Sequence, residues 1–169
     1  MPVSSVSSAN QPQAAVAVLP HPVIRPEEMV PVPERVPAFA VNGFALVVDD
    51  APDIAFMLVM ILRHAGYEAL MANSAADAFV AATRDHFDLV ISDIGMPGVD
   101  GYALAGALRA LPDYKTTPMI AVTGFSEYGD ASRALAAGFN AHMKKPIDPL
   151  FLIELVQDLK GITDQSEGE

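Results

Sequence analysis

The sequence predicts an α/β protein built on a parallel sheet, and two features of the chain predict it. From Phe44 onward short β-branched runs alternate with longer stretches of helical periodicity, the order that a sheet crossed over by helices requires. The short runs are also apolar almost throughout instead of alternating, as strands covered on both faces are. Phe44 to Asp49 (FALVVD) is the first strand, and Phe87 to Ser92 (FDLVIS) and Pro118 to Thr123 (PMIAVT) are the third and fourth. Glu68 to Ala72 and Ala141 to Lys144 read as the weaker second and fifth. Helices are predicted at about 53 to 65, 75 to 84, 101 to 111, 126 to 137 and 149 to 160. Their ends carry matching chemistry: Pro52 and Pro149 suit a first turn, and Gly66 and Gly138 follow the last turns of the first and fourth helices.

The first helix is apolar all round over Ile54 to Leu62 (IAFMLVMIL), although a helix resting one face on a sheet normally shows polar residues outside. Ile54, Met57, Leu58 and Ile61 fall at i, i+3, i+4 and i+7 and are predicted as the core stripe. Phe56, Val59 and Met60 are then left facing outward as a candidate docking patch for a helical partner.

Composition divides the chain. Eight of the 14 Pro lie in residues 1 to 40, and all 11 Gly lie at 43 or later. Each Pro removes an amide donor and turns its predecessor toward extended backbone, so residues 1–42 are expected to form a disordered or polyproline-like arm. Residues 43–160 make the folded domain, and 161–169 (GITDQSEGE) an acidic, disordered tail.

Composition also removes classes of function. The absence of Cys excludes disulfides, zinc-thiolate sites and thiol nucleophiles. At a net charge of −11, with Lys and Arg nowhere clustered, the chain lacks the electrostatic footprint of a nucleic-acid binder. Apolar runs are broken well before the roughly 18 residues of a membrane span. The opening MPVSSVSSANQPQ has neither the basic start nor the apolar stretch of a secretory signal. A cytoplasmic protein without membrane contact is expected.

In a parallel α/β sheet, functional groups collect at the carboxyl edge. The first strand ends at Asp49 and Asp50, the third at Asp93, the fourth at Thr123 and the fifth at Lys145. Three carboxylates on one edge repel each other unless a hard cation sits among them, and such oxygen ligands suit magnesium. Asp53, Asp77 and Asp148 read instead as caps or turn formers. Several enzyme signatures are absent. The segment Asp49-Asp50-Ala51-Pro52 stands where a Walker or dinucleotide loop would need glycines. Gly124-Phe125-Ser126-Glu127-Tyr128 has Tyr where a nucleophile elbow needs Gly. Ala51 breaks the D-x-D pair of a metal-dependent phosphatase, and His64 and His86 lack metal-ligand spacing.

Asp49-Asp50, the segment Asp93-Ile94-Gly95-Met96-Pro97-Gly98-Val99-Asp100-Gly101, Thr123-Gly124 and Lys145-Pro146 together resemble the receiver domain of two-component response regulators, over about residues 43–160. The resemblance implies a flavodoxin-like, doubly wound five-stranded parallel sheet in the order 2-1-3-4-5. It implies that Asp93 accepts a phosphoryl group from a phosphohistidine on a sensor histidine kinase or histidine phosphotransfer protein. It further implies magnesium, or manganese, held by the carboxylates of Asp50 and Asp93 and the backbone carbonyl of Gly95, with Asp49 acting mainly through a bound water. Lys145 would pair first with Asp93 and then with the phosphoryl oxygen, the Thr123 hydroxyl would bond to another oxygen, and the Lys145–Pro146 peptide bond would be cis. Lys144, by strand alternation, belongs to the other face.

His142 stands three residues before Lys145, where the family usually has Tyr or Phe, the ring that turns inward as the threonine moves. An imidazole can fill the same space and would make signalling responsive to mild acid. Gly95 and Gly124 leave the site open, and short-lived phosphorylation is expected. With nine residues after Lys160, the chain reads as a stand-alone receiver and not an enzyme in the ordinary sense. It would signal by phosphorylation-dependent binding of an effector to the face of helix four, strand five and helix five. The alternatives are a phosphoryl shuttle or sink between histidine proteins, an unphosphorylated pseudo-receiver scaffold, and the phosphatase that Ala51 weakens.

Overall fold

The computed structural model describes residues 42–124 and 130–166. The expected arm through residue 41, the expected opening of the fourth helix at 126–129 and residues 167–169 lie outside the described residues. Five strands, β1 (Gly43–Val48), β2 (Tyr67–Ala72), β3 (Leu89–Asp93), β4 (Met119–Thr123) and β5 (Ala141–Lys144), make one sheet in the order β2-β1-β3-β4-β5. Every pairing is parallel, and each strand is followed by a helix: α1 (Pro52–His64), α2 (Ala75–Arg84), α3 (Gly101–Ala110), α4 (Asp130–Ala137) and α5 (Pro149–Ser166). This is the doubly wound architecture and strand order that the resemblance implies.

The apolar runs work through strand alternation. Ala45, Val47, Ile91 and Val122 turn to one side, where Ala55, Leu58, Leu152 and Val156 of α1 and α5 meet them. Leu46, Val48, Val90 and Ala121 turn to the other, against Ala78, Leu104, Leu108 and Ala134 of α2, α3 and α4. Each residue of β3 and β4 is buried, and every large aliphatic among them contributes about 1.5–3 kcal/mol. Two hydrophobic cores back to back thus hold the sheet, with its polar strand ends at one edge.

Caps set the helix starts. Ser74 accepts from Asp77 N at 3.1 Å and donates to the Asp77 carboxylate at 2.7 Å, and Asp100 accepts from Ala103 N at 2.8 Å. Asp148 accepts from the amides of Leu150 and Phe151 at 2.9 and 3.3 Å. Each satisfies first-turn amides that the helix leaves without partners, so Asp148 is a cap as its sequence position predicts, whereas Asp77 stands in the first turn of α2 with Ser74 as the cap, and α1, with Asp53 in its first turn, has no side-chain cap.

The third strand starts two residues later than predicted. Phe87 instead stacks on Phe44, with ring centroids 4.7 Å apart, and Asp88 accepts from Phe44 N at 2.7 Å. A 3-10 turn at Pro112–Tyr114, which sequence reasoning misses, buries the Tyr114 ring and joins its hydroxyl to Asp85 O at 2.7 Å.

Two expectations are corrected. The core stripe of α1 is Ala55, Leu58, Val59 and Leu62, so Val59, expected outward in the docking patch, is only 5% exposed. Both stripes keep the i, i+3, i+4, i+7 spacing, and on a helix apolar all round the pattern leaves the rotation free by one residue. The acidic tail does not begin at residue 161, because α5 continues to Ser166. A lone Gly161 costs a helix only about 1 kcal/mol relative to Ala, and no Pro follows it.

Candidate functional site: an acidic pocket at the carboxyl edge

β1 delivers Asp49 and Asp50 to the carboxyl edge, the adjacent β3 delivers Asp93, β4 delivers Thr123, and Lys145 follows β5. Asp49, Asp93 and Thr123 are buried while Asp50 stands exposed at the rim. Carboxylate oxygens of the three aspartates lie within 4.8 Å of one another. Backbone bonds across the edge hold this arrangement: Ile94 N donates to Val122 O at 2.9 Å and Lys145 N to Thr123 O at 2.8 Å. The Lys145–Pro146 peptide bond is cis.

The Lys145 ammonium lies 3.1 Å from Asp93 Oδ1 and 2.9 Å from Asp49 Oδ2. Asp49 Oδ1 accepts in addition from Ala51 N at 2.9 Å. Sequence reasoning pairs Lys145 with Asp93 alone; the parallel pairing of β1 with β3 is what places Asp49 within the same reach.

Burial pushes the Asp93 carboxyl above its usual range; the Lys145 hydrogen bond and charge pull it back, and the charges of Asp49 and Asp50 push it up again, leaving a net rise. For Lys145 burial acts downward, but hydrogen bonds and charge from Asp49 and Asp93 outweigh it and hold the amine above its ordinary value. The pocket therefore carries more negative charge than one lysine neutralises. Its donor set, three carboxylates with one side open to solvent through Asp50, fits a hard divalent cation. It is the one such cluster of potential metal ligands among the described residues.

Small residues keep the pocket accessible. A Cβ at Gly95 would stand 3.6 Å from Asp93 Oδ2, and one at Gly124 would meet Lys145 Cδ at 4.0 Å. Gly101, to which sequence reasoning assigns no separate role, opens α3 directly beneath Asp93. A Cβ there would press on the Asp93 carbonyl oxygen and come within 2.9 Å of Ile94 Cα. Only the bare backbone lets the helix start so close to the strand end.

The other expected site residues lie apart from the pocket. His142 lies within β5, opposite Ala121. Phe56 and Met60 are 58% and 49% exposed on the outer face of α1. Lys144, set aside in the sequence in favour of Lys145, is exposed at the end of β5.

A doubly wound sheet in this order, with an acidic pocket at its carboxyl edge, defines a receiver-type signalling domain. Residues 45–157 match the response regulator receiver domain, and the chain belongs to that family, whose members act in two-component signalling. It is 42% identical over 112 residues to an uncharacterised 14.6 kDa protein of Leptolyngbya boryana, covering 66% of this chain and 86% of that one. It is 36% identical over 102 residues to the sensor histidine kinase RcsC of Escherichia coli, covering 60% of this chain but only 10% of the kinase.

Among solved structures, Vibrio cholerae chemotaxis protein CheY4 superposes with a TM-score of 0.66 at 31% identity, covering 69% of this chain and 97% of that one. The receiver domain of the Pseudomonas aeruginosa kinase PA1611, solved with magnesium coordinated in its active-site cleft, superposes with a TM-score of 0.65 at 28% identity. That match covers 70% of this chain and 98% of the other. Among the described residues no helix is long and apolar enough to cross a membrane.

Proposed function

We propose that the chain is a cytoplasmic phosphoacceptor that takes a phosphoryl group from a phosphohistidine onto Asp93 and signals by binding an effector in its phosphorylated form. The observation that carries this reading is the Asp93 carboxylate, buried yet reachable beside Gly95, with Lys145 at 3.1 Å and two further carboxylates within 4.8 Å. One oxygen of Asp93 forms a bond to phosphorus as the bond between phosphorus and the donor's imidazole nitrogen breaks, leaving an acyl phosphate and a free imidazole. Asp50, Asp93 and the Gly95 carbonyl would hold magnesium, with Asp49 one shell further out. When bound it neutralises charge on the equatorial phosphoryl oxygens. Lys145 transfers its bond from the carboxylate to a phosphoryl oxygen, and the Thr123 hydroxyl turns toward another. Movement of Thr123 and of the His142 ring then biases the face of α4, β5 and α5 toward partner binding, a shift between two populations of one fold.

Incubation of the chain with magnesium and acetyl phosphate is expected to add one phosphoryl group, read by intact mass, and Asp93→Asn is expected to abolish it. An adduct of equal yield in the variant, or none in the wild type, would sink the proposal and leave an unphosphorylated scaffold as the better reading.

Phe56 and Met60, one helical turn apart on α1, form the proposed docking surface for a helical histidine donor; Val59 has no part in it. Phe56→Glu combined with Met60→Glu is expected to slow transfer from the cognate donor at least tenfold while leaving acetyl phosphate uptake unchanged. An unchanged transfer rate would place the donor elsewhere.

A further inference from the structure

The Nε2 atom of His142 is buried without a hydrogen-bond partner, the one side-chain nitrogen or oxygen among the described residues left so. Its surroundings explain why. His142 pairs with Ala121, two residues before the Thr123–Lys144 pair. Paired residues of neighbouring parallel strands share a face, as do residues i and i+2. The half-buried imidazole therefore lies on the Thr123 side of the sheet, the face whose core includes Met119, Ala121 and Ala134, whereas Met143 turns into the opposite core. The charged groups nearby are engaged or directed elsewhere: β4 carries none, Arg133 of α4 sits over the Tyr102 ring at 4.2 Å, Lys144 is exposed, and Lys145 is held by Asp49 and Asp93.

A neutral imidazole offers one donor and one acceptor nitrogen, and burying either without a partner is unfavourable because the bond to water is lost and not replaced. A phenyl ring of similar shape would occupy the same bed with no such penalty. We infer that His142 is a built-in brake on the switch. Its orphaned nitrogen disfavours the inward ring, holding the unphosphorylated chain toward its inactive arrangement and raising the occupancy of the phosphoryl site needed to activate it. The inference rests on the phosphoacceptor reading above and deepens it, assigning to one residue the setting of the activation threshold.

The test compares the full-length wild type with His142→Phe and His142→Gln, each titrated with beryllium fluoride in magnesium and followed by amide NMR, with thermal unfolding measured separately without fluoride. The Phe variant is expected to bind beryllofluoride roughly 5- to 150-fold more tightly than wild type, the range corresponding to one unsatisfied buried polar group. The Gln variant, which keeps a polar end, is expected to stay near wild type. Equal affinities for wild type and Phe would overturn the brake while leaving the phosphoacceptor intact, even if the Phe variant melts higher, since that identifies a merely structural residue. An equal gain for Gln would overturn it too, by showing that polarity is not the cause. Wild type that binds no beryllofluoride would overturn the phosphoacceptor reading itself.

Discussion

A Lys145→Met variant is expected to be phosphorylated roughly 100- to 1,000-fold more slowly, the scale for losing one preorganised charge at a reacting group. It should also unfold more easily at neutral pH, by about 3 kcal/mol, because removing one partner leaves buried charge uncompensated. Asp49 is fully buried and Asp93 nearly so, and Lys145 is the cation that both touch.

The pH dependence follows from the two shifts. The amine is raised, so its stabilising contribution is fully present below the ordinary lysine value and is lost as pH rises through the raised one. Asp93 is also raised, which has the opposite consequence for a carboxyl: the fold disfavours its ionised form, and stability falls as pH climbs from 3.8 through the raised value. Without Lys145 that penalty grows. The gap between wild type and variant should therefore be widest at neutral pH and narrow in acid, where Asp93, with its raised pKa, takes up a proton. Thermal unfolding at pH 7 and pH 4 measures it, and the same loss at both would show that packing of the methylene stem, not charge, is responsible.

Arg109→Ala is expected to cost about 3 kcal/mol or more of stability without changing the chemistry at Asp93. Arg109 ends α3 at the amino edge of the sheet, across the domain from the pocket. Its guanidinium donates to Gly138 O through Nε at 2.9 Å and Nη2 at 2.7 Å, to Thr117 O at 2.7 Å, to Asn140 Oδ1 at 2.8 Å and to Tyr114 O. Burial lowers its affinity for a proton, but a guanidinium stays charged at any ordinary pH. One side chain thus ties α3 to the approach to β4 and to the turn between α4 and β5. Gly138 makes room for it: at φ +113° it adopts a conformation that favours glycine, and a Cβ there would come within 2.7 Å of Arg109 Cγ.

Removing the side chain strands several carbonyls at once, and hydrogen bonds to a charged donor are individually worth about 1.5–3 kcal/mol. Chemical denaturation reads the loss, and intact mass after acetyl phosphate treatment in the cold reads the site. A variant as stable as wild type would mean that water replaces the guanidinium.

The order of strands and helices was legible because parallel strands buried on both faces must be continuous apolar runs, and FALVVD, FDLVIS and PMIAVT are such runs between helix-length intervals. The pocket was legible in kind because polar residues at strand ends have one place to go, the carboxyl edge. Asp49, Asp50 and Asp93 announce themselves there as three carboxylates, and Asp148 as a cap, since capping is a local exchange between a side chain and amides two or three residues on.

The rotation of α1 was not legible, because nine consecutive apolar residues satisfy two helical stripes equally well. Packing Ala55 against the sheet selects between them and removes Val59 from the surface. The shared hold of Lys145 on Asp49 was not legible either, nor the reach of Arg109 to residues 29 and 31 positions away. The orphaned Nε2 of His142 belongs with these. The periodicity of burial and the local chemistry of chain ends and turns can be read along the chain, because they depend on neighbours a few residues away. Which side chains from separate elements meet cannot be read so, because those distances arise from the register and packing of segments that the fold brings together from far apart in the chain.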